Sequence, residues 1–182
     1  MMQLGILLIT AGLVAIDQLT KWLAVLFLEN SDPVTLIEGV FSLTYTENFG
    51  AAWSMFEGQQ WLLIGVTSVM LLGMLAVLLS GRFRLHRMAT VGGILVVAGG
   101  IGNLIDRVFR GSVVDFLQTD FMDFPIFNVA DCFVVIGAIL LFIYFVFFYS
   151  DRTAKPEDTQ EEGASSDDAD NCCDEGDCGD AT

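Results

Sequence analysis

The sequence predicts an all-α polytopic membrane protein: four transmembrane helices, with a small extracytoplasmic β-sheet between the first and the second. Three observations carry this. The chain is 54% hydrophobic with a mean hydropathy of +0.62, more apolar side chain than a soluble core of 182 residues can hide. Four segments, 4–28, 61–80, 88–109 and 127–150, each supply the ~20 mostly apolar residues that a bilayer span needs. Between the first two lie two β-rich runs, Val34–Ile37 and Val40–Thr46, separated by the turn-forming Glu38-Gly39.

The first span, 4–28, has no basic segment ahead of it and no small-residue cleavage site after it. It also contains Asp17 and Lys21, so it is expected to be kept as a helix rather than removed as a leader. Between the second and third spans lies Gly81-Arg82-Phe83-Arg84-Leu85-His86-Arg87, the one basic loop, which by the bias of Lys and Arg belongs on the cytoplasmic side. Both termini then share that side, while 29–60 and 110–126 face the other. The acids there (Glu29, Asp32, Glu38, Glu47, Glu57, Asp120 and Asp123) agree with this placement.

The chain thus divides into a four-helix membrane domain, 1–150, and an acidic cytoplasmic tail, 151–182. The formal charge of −15 is concentrated in the tail, where 12 acids and 2 bases leave −10. Its Asp, Glu, Ser and Gly cannot bury enough apolar surface to fold, so disorder is expected there. Nothing in the chain forms a basic nucleic-acid patch, and the tail repels anionic headgroups. Cys132 stands in an apolar run, far from Cys172, Cys173 and Cys178, which is no disulfide framework. The three tail cysteines match no standard metal spacing, and no zinc-type histidine cluster exists, so no metal or cofactor is expected.

Ionisable groups inside spans are costly and face a bundle interior, so each is a functional candidate. Asp17 and Lys21 stand four apart in the favourable order, either as an internal ion pair tying helices together or as part of a site. Asn103, Asp106 and Arg107 share one face of the third helix near its outer end. The glycines before them, at 92–93, 99–100 and 102, permit close helix packing or make room for a substrate chain.

Asp115 follows Gly111-Ser112-Val113-Val114, and Asn128 with Asp131 opens the fourth helix. The third and fourth spans are joined by a short connection, which makes them neighbours and lets the two acids meet. Two carboxylates in a poorly hydrated site share one proton, and such a pair can activate water against a peptide carbonyl. The alternative at this point is that Asp131 caps its helix and Asp115 is a loop acid. Nucleophilic schemes lack a base, because His86 is the only histidine and lies in the cytoplasmic loop.

Five blocks, in order, resemble the motifs of the lipoprotein signal peptidases (signal peptidase II): Ile16–Lys21, Asn48–Ser54, Gly102–Arg107, Val113–Phe116 and Phe127–Asp131. The resemblance implies a membrane aspartic peptidase that cuts diacylglyceryl-modified prolipoproteins just before the lipid-modified cysteine, in the bacterial plasma (inner) membrane. It implies that Asp115 and Asp131 are catalytic, that Asn48, Asn103, Arg107 and Asn128 bind substrate or orient the dyad, and that Asp17, Lys21 and Asp106 are structural. It also implies inhibition by globomycin-type cyclic peptides. Trp53 and Cys132 depart from the family pattern, which has phenylalanine and serine there. The partners expected are diacylated prolipoproteins and membrane lipid, with no nucleic acid, and the protein is expected to act as a monomer.

Two other classes compete. A proton-coupled transporter would need acids at successive depths, whereas those outside the tail gather at one face apart from Asp17. An assembly factor docking partners through the sheet and tail would leave the paired carboxylates and their asparagines unexplained.

Overall fold

The computed structural model describes residues 2–50, 58–80 and 86–149. Four long helices form the body: α1 (Met2–Leu28), α2 (Gln60–Leu79), α3 (Arg87–Phe109) and α4 (Val129–Tyr144), the last continuing through a π-helical turn, Phe145–Tyr149. All four are long and apolar enough to cross a membrane. Large apolar side chains such as Trp61, Val69 and Phe142 point outward at 87%, 71% and 68% exposure, as expected where lipid rather than water is the solvent. The protein is a multi-pass membrane protein.

α3 runs through the centre and packs against the other three helices. Its glycines are packing positions. A Cβ on Gly99 would strike the Ala130 carbonyl, and one on Gly92 would meet the Gly137 carbonyl at 2.9 Å, so α3 and α4 lie backbone to backbone. Gly93 and Gly100 instead accommodate Leu78 and Leu71 of α2. Of the two readings that the glycines left open, the close approach of helices is the one built.

At one end of the bundle sits an antiparallel sheet of three strands, β1 (Val34–Ile37), β2 (Phe41–Asn48) and β3 (Val113–Thr119), in that order. The turn between β1 and β2 places Gly39 at φ +70°, a left-handed conformation that glycine adopts without strain. The sequence predicted the first two strands and missed the third. β3 shows no apolar alternation because its first four residues are all buried, and Asp115 interrupts the run. Val114 and Phe116 join Ala24 and Leu28 of α1 in one apolar cluster, which fastens the sheet to the bundle.

Pairing sets Thr46 opposite Asp115 and Asn48 opposite Val113, with a register shift between Leu43 and Thr46. Two residues of β2, Thr44 and Tyr45, thereby oppose Phe116 alone; such a bulge re-aims the side chains beyond it. The hydroxyls of Tyr45 and Ser112 bond the Glu47 carboxylate at 2.7 and 2.9 Å, clamping the two strands beside Asn48. Those bonds hold Glu47 below the usual carboxylate range. Several sequence expectations concern residues outside those described: Ala51–Ser54 with Trp53, the basic loop 81–85, and the tail 151–182 with its three cysteines.

Candidate active site

A buried ion cluster lies where α1 crosses α3. Lys21 stands 3.1 Å from Asp17 and 2.8 Å from Asp106, and all three side chains are at most 1% exposed. Burying an ammonium is costly unless it is paired and its protons are placed, and two carboxylates meet that requirement. Gln18 donates to Asp17, Asp106 and the Gly102 carbonyl at 3.3, 3.3 and 3.1 Å. The other Asp17 oxygen, Oδ1, accepts the backbone N–H of Ala130 at 2.9 Å, so the cluster also grips the start of α4.

Asp115 is 2% exposed on β3. Its Oδ1 accepts from the Asn128 side-chain amide at 2.6 Å and its Oδ2 from the Asn48 amide at 3.1 Å. Asn48 reaches it because β2 pairs with β3 and places the two side chains as diagonal neighbours. Burial first, and then the charge of Asp131, push the Asp115 carboxyl up to about 6, against the opposing pull of the two asparagine amides.

Asp131 enters from the first turn of α4. Asn128 is the N-cap, extended at φ −133°, and its side chain accepts the Asp131 N–H at 3.0 Å. Asp131 Oδ2 in return accepts the Asn128 N–H at 3.1 Å, a reciprocal capping box. Asn128 and Asp131 therefore face each other across a helix cap. The capping role that stood as the rival reading of Asp131 is realised, and its second oxygen remains free for other partners.

Asn103 joins the two halves. Its amide nitrogen donates to Asp131 Oδ1 at 2.8 Å, while its oxygen accepts from Lys21 at 2.7 Å and from Asn128 at 3.2 Å. One turn further along α3, Arg107 donates to the Gly50 carbonyl at 3.0 Å and to the Asn103 backbone carbonyl at 3.3 Å. Asp115, Asp131, Arg107 and Asn48 line a single cavity of about 480 Å³, walled otherwise by apolar residues including Phe124, Phe127, Val134 and Ile136. Cys132, half-buried beside Asp131, is part of the same wall.

All nine residues singled out from the sequence thus fall into one connected network. Asp115, Asp131, Asn48 and Arg107 face the cavity, whereas Asn103, Asn128, Asp17, Lys21 and Asp106 stand behind them. The sequence reading gave no role to Gln18 or to the Gly50 carbonyl. The signal for Gln18 was present, an uncharged amide inside an apolar span beside Asp17. No sequence signal marks a backbone carbonyl. No group of three or more His, Cys, Asp or Glu able to hold a metal ion occurs among the described residues.

A helical membrane body carrying two carboxylates on one cavity, each held by asparagines, defines a membrane hydrolase of aspartic type. Residues 9–147 match the family described as signal peptidase (SPase) II. The chain is 42% identical over 143 residues to the lipoprotein signal peptidase of Geobacillus thermodenitrificans, covering 78% of this chain and 89% of that one. It is 45% identical over 139 residues to that of Enterococcus faecalis, covering 76% and 86%. A bacterial membrane enzyme solved by the in meso method at 2.3 Å resolution superposes with a TM-score of 0.74 at 31% identity, over 86% of this chain and 94% of that chain. The protein belongs to the signal peptidase II family and is a membrane aspartic peptidase.

Proposed function

We propose that the protein removes signal peptides from diacylglyceryl-modified prolipoproteins by cleaving the bond just before the lipid-modified cysteine, with Asp115 and Asp131 as the catalytic pair. The observation that carries this reading is the common cavity: one buried carboxyl with a raised affinity for its proton and one carboxylate at a helix start, tied together through Asn128.

In the proposed chemistry Asp115 begins protonated and Asp131 ionised. Water between them attacks the scissile carbonyl carbon, giving a proton to Asp131, while Asp115 passes its proton to the carbonyl oxygen. The resulting gem-diol collapses as the C–N bond breaks. The nitrogen leaves with the proton from Asp131, and a gem-diol hydroxyl returns its proton to Asp115. Arg107 and Asn48, which line the cavity beside the acids, hold the substrate's backbone carbonyls. The cavity wall reaches Val135 and Ile136, which are 56% and 50% exposed on the lipid side of α4, so an acylated cysteine can stay in the bilayer while its peptide enters. Anchoring of this kind raises the effective concentration of substrate.

The orientation follows the basic loop: both termini are cytoplasmic, and the sheet and cavity lie at the extracytoplasmic face of the bacterial plasma membrane. The protein is proposed to act as a monomer, with Asp115, Asp131, Asn48 and Arg107 lining one cavity. The test is incubation of the purified protein with a diacylated prolipoprotein beside its unlipidated form, with the fragments weighed by mass spectrometry. Cleavage of the lipidated form alone, just before the modified cysteine, is expected. Intact lipidated substrate would overturn the reading.

A further inference from the structure

The proposed chemistry leaves the buried charged groups Asp17, Lys21 and Asp106 unused, and of these Lys21 reaches an acid of the pair through a single side chain, that of Asn103. Two of its contacts are ionic, to Asp17 on its own helix and Asp106 on α3, and these alone would fasten α1 to α3. It makes one more contact, at 2.7 Å to the side-chain oxygen of Asn103, a shorter contact than either ion pair. An ammonium has three N–H bonds and accepts nothing, so whatever atom it meets there must be an acceptor.

That requirement fixes the Asn103 amide. With its oxygen turned to Lys21, its nitrogen must point the other way, where it meets Asp131 Oδ1 at 2.8 Å. The same oxygen takes a weaker contact from Asn128, whose amide in turn bonds Asp115 at 2.6 Å. Without the lysine only the 3.2 Å contact from Asn128 holds that oxygen, so the amide is less firmly fixed toward Asp131.

Building on the peptidase reading above, we propose that Lys21 is a positioning residue for the acid pair: by holding the oxygen of Asn103 it keeps that amide's N–H aimed at Asp131 and so holds the Asp131 carboxylate in place. The ammonium acts through a relay of two amides and touches neither reacting carboxylate. The charged groups around this relay are Asp17 from α1, Asp106 and Arg107 from α3, Asp115 from β3 and Asp131 from α4. Removing the lysine leaves Arg107 as the one cation beside Asp17, Asp106 and a pair that carries a single negative charge, which favours proton uptake by the pair.

Two variants test this, Lys21→Met and the charge-balanced Lys21→Met with Asp106→Asn, each measured for turnover of a diacylated prolipoprotein across pH and for folded fraction. Both are expected to lose about ten- to hundredfold in kcat, as when a partner that orients an active group is removed. The acidic limb of the profile should also move up by about one pH unit. A purely structural lysine would lower activity only in proportion to folded protein. Unmoved limbs in the balanced variant would therefore overturn the proposal while leaving the peptidase reading intact. A wild-type protein that fails to cleave the lipidated substrate would overturn both.

Discussion

The side-chain amide of Asn128 stands 2.6 Å from the Asp115 carboxylate, the shortest contact made by either acid of the pair. The same residue holds Asp131 through its backbone N–H at 3.1 Å, so one asparagine sets the geometry of both carboxylates. It does so from a cap position where its own conformation is fixed by the start of α4.

Asn128 therefore has two separable tasks. In Asn128→Ser a good N-cap remains but the amide donor to Asp115 is lost, so melting temperature should stay near wild type while turnover falls at least about tenfold. Asn128→Ala should lose both, with roughly 1 kcal/mol of additional destabilisation from the missing cap. Equal stability loss in the two variants would show that the cap is not what Asn128 supplies to the fold.

Asp115→Asn and Asp131→Asn should each reduce prolipoprotein cleavage by about a thousandfold or more, since members of a catalytic unit fail together. Membrane insertion should be unaffected. Mass-spectrometric quantitation of released signal peptide checks this, and near-normal cleavage by either variant would remove that acid from the pair.

The raised Asp115 carboxyl fixes the alkaline side of the pH profile. Its proton is retained below about 6 in the free protein and lost above it, so kcat/KM should decline as pH rises through that value. Bound lipopeptide excludes more water and disfavours the charged form further, so the same limb in kcat should lie at higher pH. Toward acid both profiles should fall again, where no carboxylate remains ionised to take the water's proton. A profile flat from acid to neutral pH would rule out a shared proton.

Gly99→Ala should destabilise the protein by about 1–3 kcal/mol, because the new methyl meets the Ala130 backbone, which cannot swing aside as a side chain can. Since Ala130 precedes Asp131, activity should fall further than folded protein does. Thermal unfolding alongside turnover separates the two losses.

Removal of residues 151–182 should leave cleavage unchanged, because every group of the site lies between Asp17 and Asp131. Rates of the truncated and full-length proteins, compared at equal amounts in the membrane, check this.

The spans and most of the site were legible in the sequence for physical reasons. A charged or amide side chain inside an apolar run must find a partner in lipid, whether structural or functional, so Asp17, Lys21, Asn103 and Asp106 stood out. β3 did not, because a strand covered on both faces loses the alternation that marks a strand, and its central acid reads as a loop. The relation of Asn128 to Asp131 was half legible. Their place at the start of the fourth span was readable, but not that Asn128 is the N-cap whose side chain turns back onto the helix to meet Asp131. The Arg107 contact with the Gly50 carbonyl was illegible, as a backbone acceptor carries no residue signature.

The bond from Asp17 to the Ala130 N–H joins α1 to α4 across 113 residues of chain. A nascent chain that has inserted only three helices holds Asp17 without this partner and has yet to receive Asp131. On the proposed pairing, the acid pair is complete only once α4 has packed against α1, so the contact that closes the bundle is also the one that places the start of the helix carrying Asp131.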